Sequence, residues 1–234
     1  MAFCGFLGPV CSIITTMVPL MLGALVSGNP PRRLTAPGLL SSPVALRLDS
    51  VDYKNVLHWA PPLSNTTLTY SVQWKIYGES MWVEVQGCQE IQSLQCDLSR
   101  VTSRSREWYY ARVRASSLLP ANHSAWAFSR RFSPRWDTKI SPPTLNLTVT
   151  DQGIVVHLKP PAALVQKLHK KLCCRIHLRH GSGEEDQYER KSCTKELALA
   201  QLSAGTTYCF QAQTVVCLQG KSSTRGPLRC VTTP

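Results

Sequence analysis

An internal repeat divides most of this chain into two blocks with the same layout. Residues 56–62 (VLHWAPP) correspond to 155–161 (VVHLKPP), and residues 108–113 (WYYARV) correspond to 207–212 (TYCFQA), both at an offset of 99 positions. The matched segments alternate apolar with polar side chains, as half-buried β-strands do. A repeat of about 100 residues built from short strands is the size of one two-sheet β-sandwich. The sequence of 234 residues therefore predicts two β-sandwiches in tandem.

The strand pattern is clearest between residues 68 and 77, where apolar and polar side chains alternate without a miss. No long amphipathic helix is visible elsewhere in the sequence, so we predict an all-β fold. Two consecutive prolines, Pro142 and Pro143, disfavour helix between the blocks and stiffen the chain there. We therefore predict domain one at residues 43–140 and domain two at 141–234, preceded by a loose amino-terminal arm at 29–42.

One cysteine pair and two tyrosines indicate the type of sandwich. In domain one, Cys88 and Cys96 are eight residues apart, so they close a small loop instead of joining two facing sheets as in immunoglobulin domains. Tyr109 and Tyr208 begin equivalent strands of the repeat, where a tyrosine corner is expected. We predict that both immunoglobulin-like sandwiches are of the fibronectin-type-III-like kind.

The beginning of the chain predicts secretion. Residues 6–26 carry no charge and are rich in Leu, Val, Ile and Met, and small residues follow at Ser27 and Gly28. This pattern predicts a signal peptide at residues 1–28 and an extracellular mature protein. No basic residue precedes the apolar run, which leaves an uncleaved signal anchor as the alternative, but prolines and small residues interrupt the run and favour cleavage. Three sequons predict glycosylation at Asn65, Asn122 and Asn146.

Ten cysteines in a chain of this size indicate an oxidising compartment. Cleavage near Gly28 removes two of them and leaves an even number, as a disulfide framework requires. We predict a disulfide between Cys88 and Cys96, and another between Cys209 and Cys230 across a turn-rich stretch.

The remaining four cysteines allow three pairings. They are Cys173, Cys174, Cys193 and Cys217. Successive side chains of a strand point to opposite faces, so Cys174 is expected to face the core, while Cys173 faces outward as Cys217 does. Strand alternation therefore favours Cys173 with Cys217 and Cys174 with Cys193, and it leaves the other pairings open.

The run CCRIHLRH at residues 173–180 has the residue types of a metal site. On a strand, however, Cys173 and His177 point away from Cys174 and His180, so four ligands would not converge. The sequence also has no Gly-x-Ser-x-Gly, His-Glu-x-x-His or phosphate-binding glycine loop. We therefore expect a protein that is not an enzyme and uses no metal or other cofactor.

The charge balance is strongly basic, with 26 Lys and Arg against 14 Asp and Glu. Such a protein favours acidic partners, of which nucleic acid is the least suitable for a secreted chain. Sulfated glycans are the candidate ligands for two sets of basic residues, and scattered surface charge is the alternative. The sets are Arg130, Arg131 and Arg135 near the domain junction, and Lys167, Lys170 and Lys171 in a loop of domain two.

Four segments carry a resemblance to a known family. They are residues 71–78 (SVQWKIYG), the loop from Cys88 that ends in residues 96–98 (CDL), residues 109–115 (YYARVRA) and residues 131–143 (RFSPRWDTKISPP). These segments resemble the class II cytokine receptors, whose extracellular part is a pair of fibronectin-type-III-like domains. The resemblance covers nearly all of residues 43–234, and within the family it is to the interleukin-22 receptor chains, including their soluble decoy.

The resemblance implies a monomer that grips a helical cytokine of the interleukin-10 family, with interleukin-22 the expected partner, by loops between its domains. It implies a central aromatic contact from Tyr77 and Gly78. Tyr77 is also expected on the polar face of its strand, where an exposed aromatic beside a glycine suits a binding hot spot, and an ordinary surface tyrosine is the alternative. The other implied contacts are Glu79, Arg106, Leu118, Leu119, Lys167 and His169.

The carboxyl end of the sequence bears on how such a receptor would act. Family members that signal carry a transmembrane helix after domain two, whereas this sequence ends four residues after Cys230. We therefore expect a soluble decoy that binds its cytokine and blocks signalling. The alternatives are the ectodomain of a membrane-bound signalling receptor of the same family and a glycan-binding matrix module.

Overall fold

The computed structural model describes residues 40–118, 121–194 and 196–234. The predicted signal peptide, residues 29–39 of the predicted arm and Leu119 lie outside these residues, so the predictions made for them stay predictions. Two sandwiches make up the described part of the chain, and both belong to one compact unit, Ala36–Pro234.

Short strands account for most of both sandwiches. The strands of the first are β1 (Val44–Val51), β2 (Lys54–Ala60), β3 (Leu68–Ile76), β4 (Val83–Glu84), β5 (Gln95–Asp97), β6 (Tyr109–Leu118), β7 (Ala121–His123) and β8 (Ala127–Phe128). The strands of the second are β9 (Thr144–Thr150), β10 (Gly153–Lys159), β11 (Leu172–Arg179), β12 (Glu185–Arg190), β13 (Leu197–Ala200), β14 (Thr207–Val216), β15 (Lys221–Ser222) and β16 (Arg229–Thr232). Two short helices, α1 (Pro134–Asp137) and α2 (Ala163–Leu168), lie in connections.

Each sandwich consists of two antiparallel sheets. In the first, the strand order β1-β2-β5 faces β4-β3-β6-β7, with β8 also paired to β6. In the second, β13-β10-β9 faces β12-β11-β14-β15, with β16 paired to β14. Strands β2 and β10 begin and end at the predicted offset of 99 positions. The predicted all-β fold of two tandem fibronectin-type-III-like sandwiches is confirmed.

Alternate residues of the central strands form a separate core in each sandwich. Leu57 and Val113 are completely buried in the first core, and Val156 and Phe210 are completely buried in the second. Removing one such side chain from water contributes roughly 1.5–3 kcal/mol to stability. The apolar faces read from the sequence are therefore the faces on which the sheets pack.

Both tyrosine corners are present. The Tyr109 hydroxyl donates to the carbonyl oxygen of Arg104 at 3.0 Å, and the Tyr208 hydroxyl accepts the backbone N–H of Ser203, also at 3.0 Å. In each domain the bond reaches five residues back along the chain and ties the loop before the strand to the strand itself.

The described cysteines form four disulfides. They are Cys88–Cys96, Cys173–Cys217, Cys174–Cys193 and Cys209–Cys230. Strand alternation favours these pairs, because Cys174 and Cys193 are buried while Cys173 and Cys217 are half-buried on the outer face. Since Cys173 and Cys174 are both oxidised, neither offers a thiolate to a metal ion.

Removing the buried Cys174–Cys193 disulfide should destabilise domain two strongly. The bond closes a loop with a sequence separation of 19 residues, and the chain entropy that it removes from the unfolded state is worth about 3 kcal/mol. We expect a Cys174→Ala/Cys193→Ala variant to lose this amount in urea unfolding followed by circular dichroism. A loss below about 1 kcal/mol would show that this loop is already restrained in the unfolded chain.

A third hydrophobic cluster lies at the junction of the two sandwiches. It consists of Tyr53 from the β1–β2 turn, Ile140 from the connecting segment, Val165 from α2 and Val216 from β14. The Tyr53 hydroxyl lies 2.5 Å from Nε2 of His169, so a hydrogen bond joins domain one to domain two inside this cluster. Burial raises the pKa of Tyr53 above its ordinary value.

Polar contacts secure the segment that connects the domains. The backbone N–H of Ser141 donates to a carboxylate oxygen of Asp52 at 2.8 Å, and the backbone N–H of Tyr53 donates to the Thr138 hydroxyl at 2.9 Å. The Lys221 ammonium of domain two donates to the carbonyl oxygens of Trp136 and Thr138. With the junction cluster, these contacts fix how the loops of the two domains meet.

Candidate functional site

The Tyr77–Gly78 pair forms a tight turn directly after β3. The backbone N–H of Glu79 donates to the carbonyl oxygen of Ile76 at 3.1 Å and closes the turn. Gly78 has φ of +91°, the conformation that the third position of such a turn favours and that side chains oppose. Tyr77 is therefore in a turn and not on the polar face of the strand as predicted, but its side chain is 58% exposed.

Several contacts fix the backbone and one ring face of Tyr77. Its N–H donates to the carbonyl oxygen of Trp108 at 2.7 Å. The Arg131 guanidinium lies 4.3 Å from the Trp108 ring centroid and 5.7 Å from that of Tyr77, while Tyr110 lies beside Tyr77 with ring centroids 6.2 Å apart. Because the turn is already ordered, little conformational entropy of the turn would be lost when a partner packs on the exposed ring.

A stack of alternating cations and indoles orders the outer face of the same sheet. The Arg112 guanidinium lies 4.3 Å from the ring centroids of both Trp82 and Trp126, and Arg114 lies 4.9 Å from Trp126. Both arginines project from the outer face of β6 and stack on the Trp126 ring. The stack also includes Trp82, which directly precedes β4, so the contact with Arg112 holds the start of β4 against this face.

Loops of both domains meet beside this turn, in a region that we call the elbow: residues 77–79, 104–108, 163–171 and 217–220. Arg106 of domain one lines a cavity of about 260 Å³ together with Leu168, Lys170 and Leu218 of domain two. Trp108, two residues after Arg106, contacts the Tyr77 turn. The elbow therefore combines an exposed aromatic with loops from two domains that the junction cluster holds in place.

Four of the predicted contact residues lie on the exposed surface of the elbow. Glu79 follows Gly78 in the turn, Arg106 lies in the loop before β6, and Lys167 lies on α2. Gly78 is exposed as well, and a Cβ placed on it would meet nothing within 4 Å. Their positions suit a shared partner, and their role as contacts stays a prediction.

Leu118 lies at the wrong end of domain one for the elbow. Strands β3 and β6 are antiparallel, so the end of β3 at Ile76 pairs with Tyr109, and Ser117 pairs with Leu68 at the far end. Leu118 is nine residues beyond Tyr109, which at about 3.3 Å per residue is roughly 30 Å away. The prediction that Leu118 completes the elbow is wrong, because the carboxyl-terminal end of β6 lies at the opposite pole of domain one.

His169 is also not a surface contact as predicted. Its side chain is 6% exposed and is joined to Tyr53 by the hydrogen bond at the junction. Burial lowers the pKa of His169 below its ordinary value of 6.5, and the nearby Arg135 and Lys221 lower it further. The residue supports the elbow from within, and Lys170, the next residue, faces solvent instead.

Acidification should weaken the folded protein through His169. Because the pKa is lowered in the folded state, the unfolded chain binds the proton more tightly, so the free energy of unfolding falls as pH drops below 6.5. The stabilising contribution is complete above that pH and is lost once pH falls below the folded-state pKa. Urea unfolding of the parent and of His169→Gln at about pH 7.5, 6 and 5 measures how the free energy of unfolding depends on pH in each protein. An equal loss in both proteins would rule out His169 as the cause.

The turn between β14 and β15 also belongs to the elbow, whereas the sequence indicated only a turn-rich stretch there and no contact with a partner. Leu218 at this turn is 74% exposed, and Gln219 lines the cavity beside it. An apolar residue in a turn that ends in a glycine, here Gly220, is the signal that marks such a position.

The predicted glycosylation sites lie away from the two cores. Asn65 and Asn146 are exposed, and Asn122 is half-buried on β7. Among the residues that the structure describes, no helix is long and apolar enough to cross a membrane.

Comparisons with known proteins agree with this geometry. A family model described as tissue factor matches residues 14–126, and one described as interferon-alpha/beta receptor, fibronectin type III, matches residues 138–234. The interleukin-22 receptor subunit alpha-2 of Mus musculus is 29% identical over 204 residues, which cover 82% of this chain and 88% of that protein. The chain belongs to the class II cytokine receptor family.

Two other receptors are similar to this chain over different shares of their own length. The interleukin-20 receptor subunit alpha of Mus musculus is 30% identical over 189 residues, which cover 76% of this chain and 34% of that protein. A crystal structure of the chicken interferon gamma receptor alpha chain superposes with a TM-score of 0.70 and 23% identity, covering 83% of this chain and 99% of that one. This last similarity concerns the fold.

Proposed function

We propose that this receptor binds interleukin-22, or a closely related cytokine of the interleukin-10 family, and blocks its signalling as a secreted decoy. The observation that carries the proposal is the exposed ring of Tyr77 on a rigid turn at the elbow. Large aromatics that are held in place and surrounded by adaptable polar groups are the side chains on which protein interfaces most often depend.

The similarity to the interleukin-22 receptor subunit alpha-2 supports the choice of cytokine. It extends over both domains and over 88% of the mouse subunit. The rat and human subunits of the same name are 28% and 27% identical to this chain. We infer interleukin-22 as the ligand from the name of these relatives and from the resemblance in residues 71–78. We infer that the elbow is the surface that binds it.

Binding is tested with the glycosylated protein secreted from animal cells. We expect tight binding to immobilised interleukin-22 on a biosensor and weaker binding to interleukin-10 and interleukin-20. The complex should persist in roughly 0.5 M salt, where attachment through scattered charges is screened. Binding to none of the three cytokines would overturn the proposal.

The decoy role needs a separate measurement. Added to cells that respond to interleukin-22, the protein should lower the response in proportion to the cytokine that it occupies, and an excess of cytokine should restore it. The intact mass of the natural product in culture medium distinguishes a secreted decoy from the ectodomain of a membrane receptor. A natural product found only in the membrane fraction would contradict the decoy role.

A further inference from the structure

The cavity at the elbow is lined by positive charges and has no negative one. Arg106, Arg135, Lys170 and Lys171 line it, and none of its lining residues is an aspartate or glutamate. Within the described parts of the chain, none of these four cations forms an ion pair with a carboxylate. Like charges around one cavity destabilise each other, and an anion that enters it relieves this repulsion.

Gln219, which lines the same cavity, has an unpaired side-chain amide. Both the nitrogen and the oxygen of the Gln219 side chain are buried, and neither has a hydrogen-bond partner among the described residues. A buried polar group without a partner destabilises the folded state, and such groups are rare unless a ligand or solvent satisfies them. The amide is therefore an observation, independent of the charges, that indicates a polar group from outside the chain.

Two partly buried groups of domain two near the junction have lowered pKa values. Burial lowers the pKa of His169, and Arg135 and Lys221 lower it further. Burial also lowers the pKa of Lys221. The Asp137 carboxylate opposes this effect and raises the pKa of Lys221, but Asp137 is not among the residues that line the cavity.

We propose that this cavity receives an acidic side chain of the cytokine, an aspartate or glutamate whose carboxylate is bound by Arg106, Lys170 and the Gln219 amide nitrogen. The inference rests on the proposed function, because it names the group that the ligand presents at the elbow. A volume of about 260 Å³ suits one side chain. It is smaller than the roughly 300–1,000 Å³ of sites that enclose a whole small molecule, so a sugar chain is the less suitable occupant.

Both domains build the cavity. Arg106 and Arg135 precede the domain boundary that we predict, whereas Lys170, Lys171 and Gln219 follow it. The arrangement of charges therefore depends on the junction between Tyr53 and His169. A carboxylate bound there contacts both domains at once. The affinity for the cytokine therefore depends on the angle between the two domains.

Charge reversal at the cavity tests the inference. We expect Arg106→Glu/Lys170→Glu to lower the affinity for interleukin-22 by at least about 30-fold, since a carboxylate would then face like charges. The matched control is Arg179→Glu, an exposed arginine at the end of β11 that pairs with Cys209, remote from Leu172 and the elbow. Arg179→Glu should bind like the parent. Equal affinities for the parent and the double variant would overturn the inference.

Replacement of the unpaired amide gives a second, independent test. Gln219→Leu keeps a similar volume and removes the buried polar atoms, so its midpoint of thermal unfolding should stay the same or rise. We expect its affinity for interleukin-22 to fall about 10-fold, because one donor to the carboxylate is lost. Unchanged affinity, whether the midpoint stays the same or rises, would contradict a role for Gln219 in binding.

A small probe separates failure of this inference from failure of the proposed function. N-acetylglutamate amide, titrated against the whole labelled protein, should shift the NMR signal of the Gln219 side-chain amide, and the Arg106→Glu/Lys170→Glu variant should abolish the shift. A protein that does not bind interleukin-22 but shows this shift disproves the proposed partner and keeps the cavity as a carboxylate site. No shift with the probe, or displacement of the probe by a heparin oligosaccharide that binds more tightly at Gln219, would overturn the inference.

Discussion

Replacing Tyr77 with alanine is expected to lower the affinity of this receptor for interleukin-22 by about 30-fold or more. A central aromatic hot spot typically contributes at least about 2 kcal/mol to binding, which corresponds to that ratio. The ring is exposed and the turn beneath it is held by backbone hydrogen bonds, so the variant should fold and unfold like the parent. Biosensor kinetics should place most of the loss in the dissociation rate.

Two further variants isolate the role of the Tyr77 ring. Tyr77→Phe keeps the ring and should retain most of the affinity. Leu118→Ala removes an apolar side chain that is 79% exposed at the opposite pole of domain one, and it should bind like the parent. If Leu118→Ala weakened binding and Tyr77→Ala did not, the cytokine site would lie at the other end of the domain.

Replacing Tyr53 with alanine is expected to produce the largest loss of stability among single substitutions at the junction. The side chain is 5% exposed and fills the cluster between the domains, and truncating a buried aromatic costs about 3–5 kcal/mol. Tyr53 has φ of +69°, a conformation that alanine also opposes, so the substitution gains nothing from the backbone. Urea unfolding followed by tryptophan fluorescence measures the loss.

The matched control is Tyr53→Phe, which keeps the ring and removes only the hydrogen bond to His169. Its loss should be about 1–3 kcal/mol, the cost of leaving a buried polar atom unpaired. Affinity for interleukin-22 should fall with Tyr53→Ala because the two halves of the elbow are then no longer held together. A loss of stability below about 1 kcal/mol for Tyr53→Ala would mean that the domains are held by other contacts.

Patterns along the chain predicted the elements of each domain. The alternating segments at 56–62 and 108–113 contain residues of the core, Leu57 and Val113, and the repeat at 99 positions related β2 to β10. The same parity favoured the disulfide between Cys174 and Cys193, because both lie inside. These results follow from local rules: a strand has a period of two, so the sequence specifies which side chains are on the same face.

The position of a loop in the molecule does not follow from that period. Leu118 ends β6 and Tyr77 directly follows β3 of the same sheet, but only the antiparallel register shows that they lie at opposite poles. Sequence spacing likewise does not show that His169 is buried while its neighbour Lys170 is exposed. That difference arises because the segment after α2 packs on Tyr53, which lies over a hundred residues earlier in the chain.

The sequence by itself determined the strands and the tandem of two sandwiches, since both depend on the pattern of side chains along the chain. Only the tertiary structure decided which loops meet at the elbow, that His169 supports it from within, and that four cations and the Gln219 amide surround one cavity. Those features arise where two domains pack together, and packing between distant segments leaves no periodic trace in either of them.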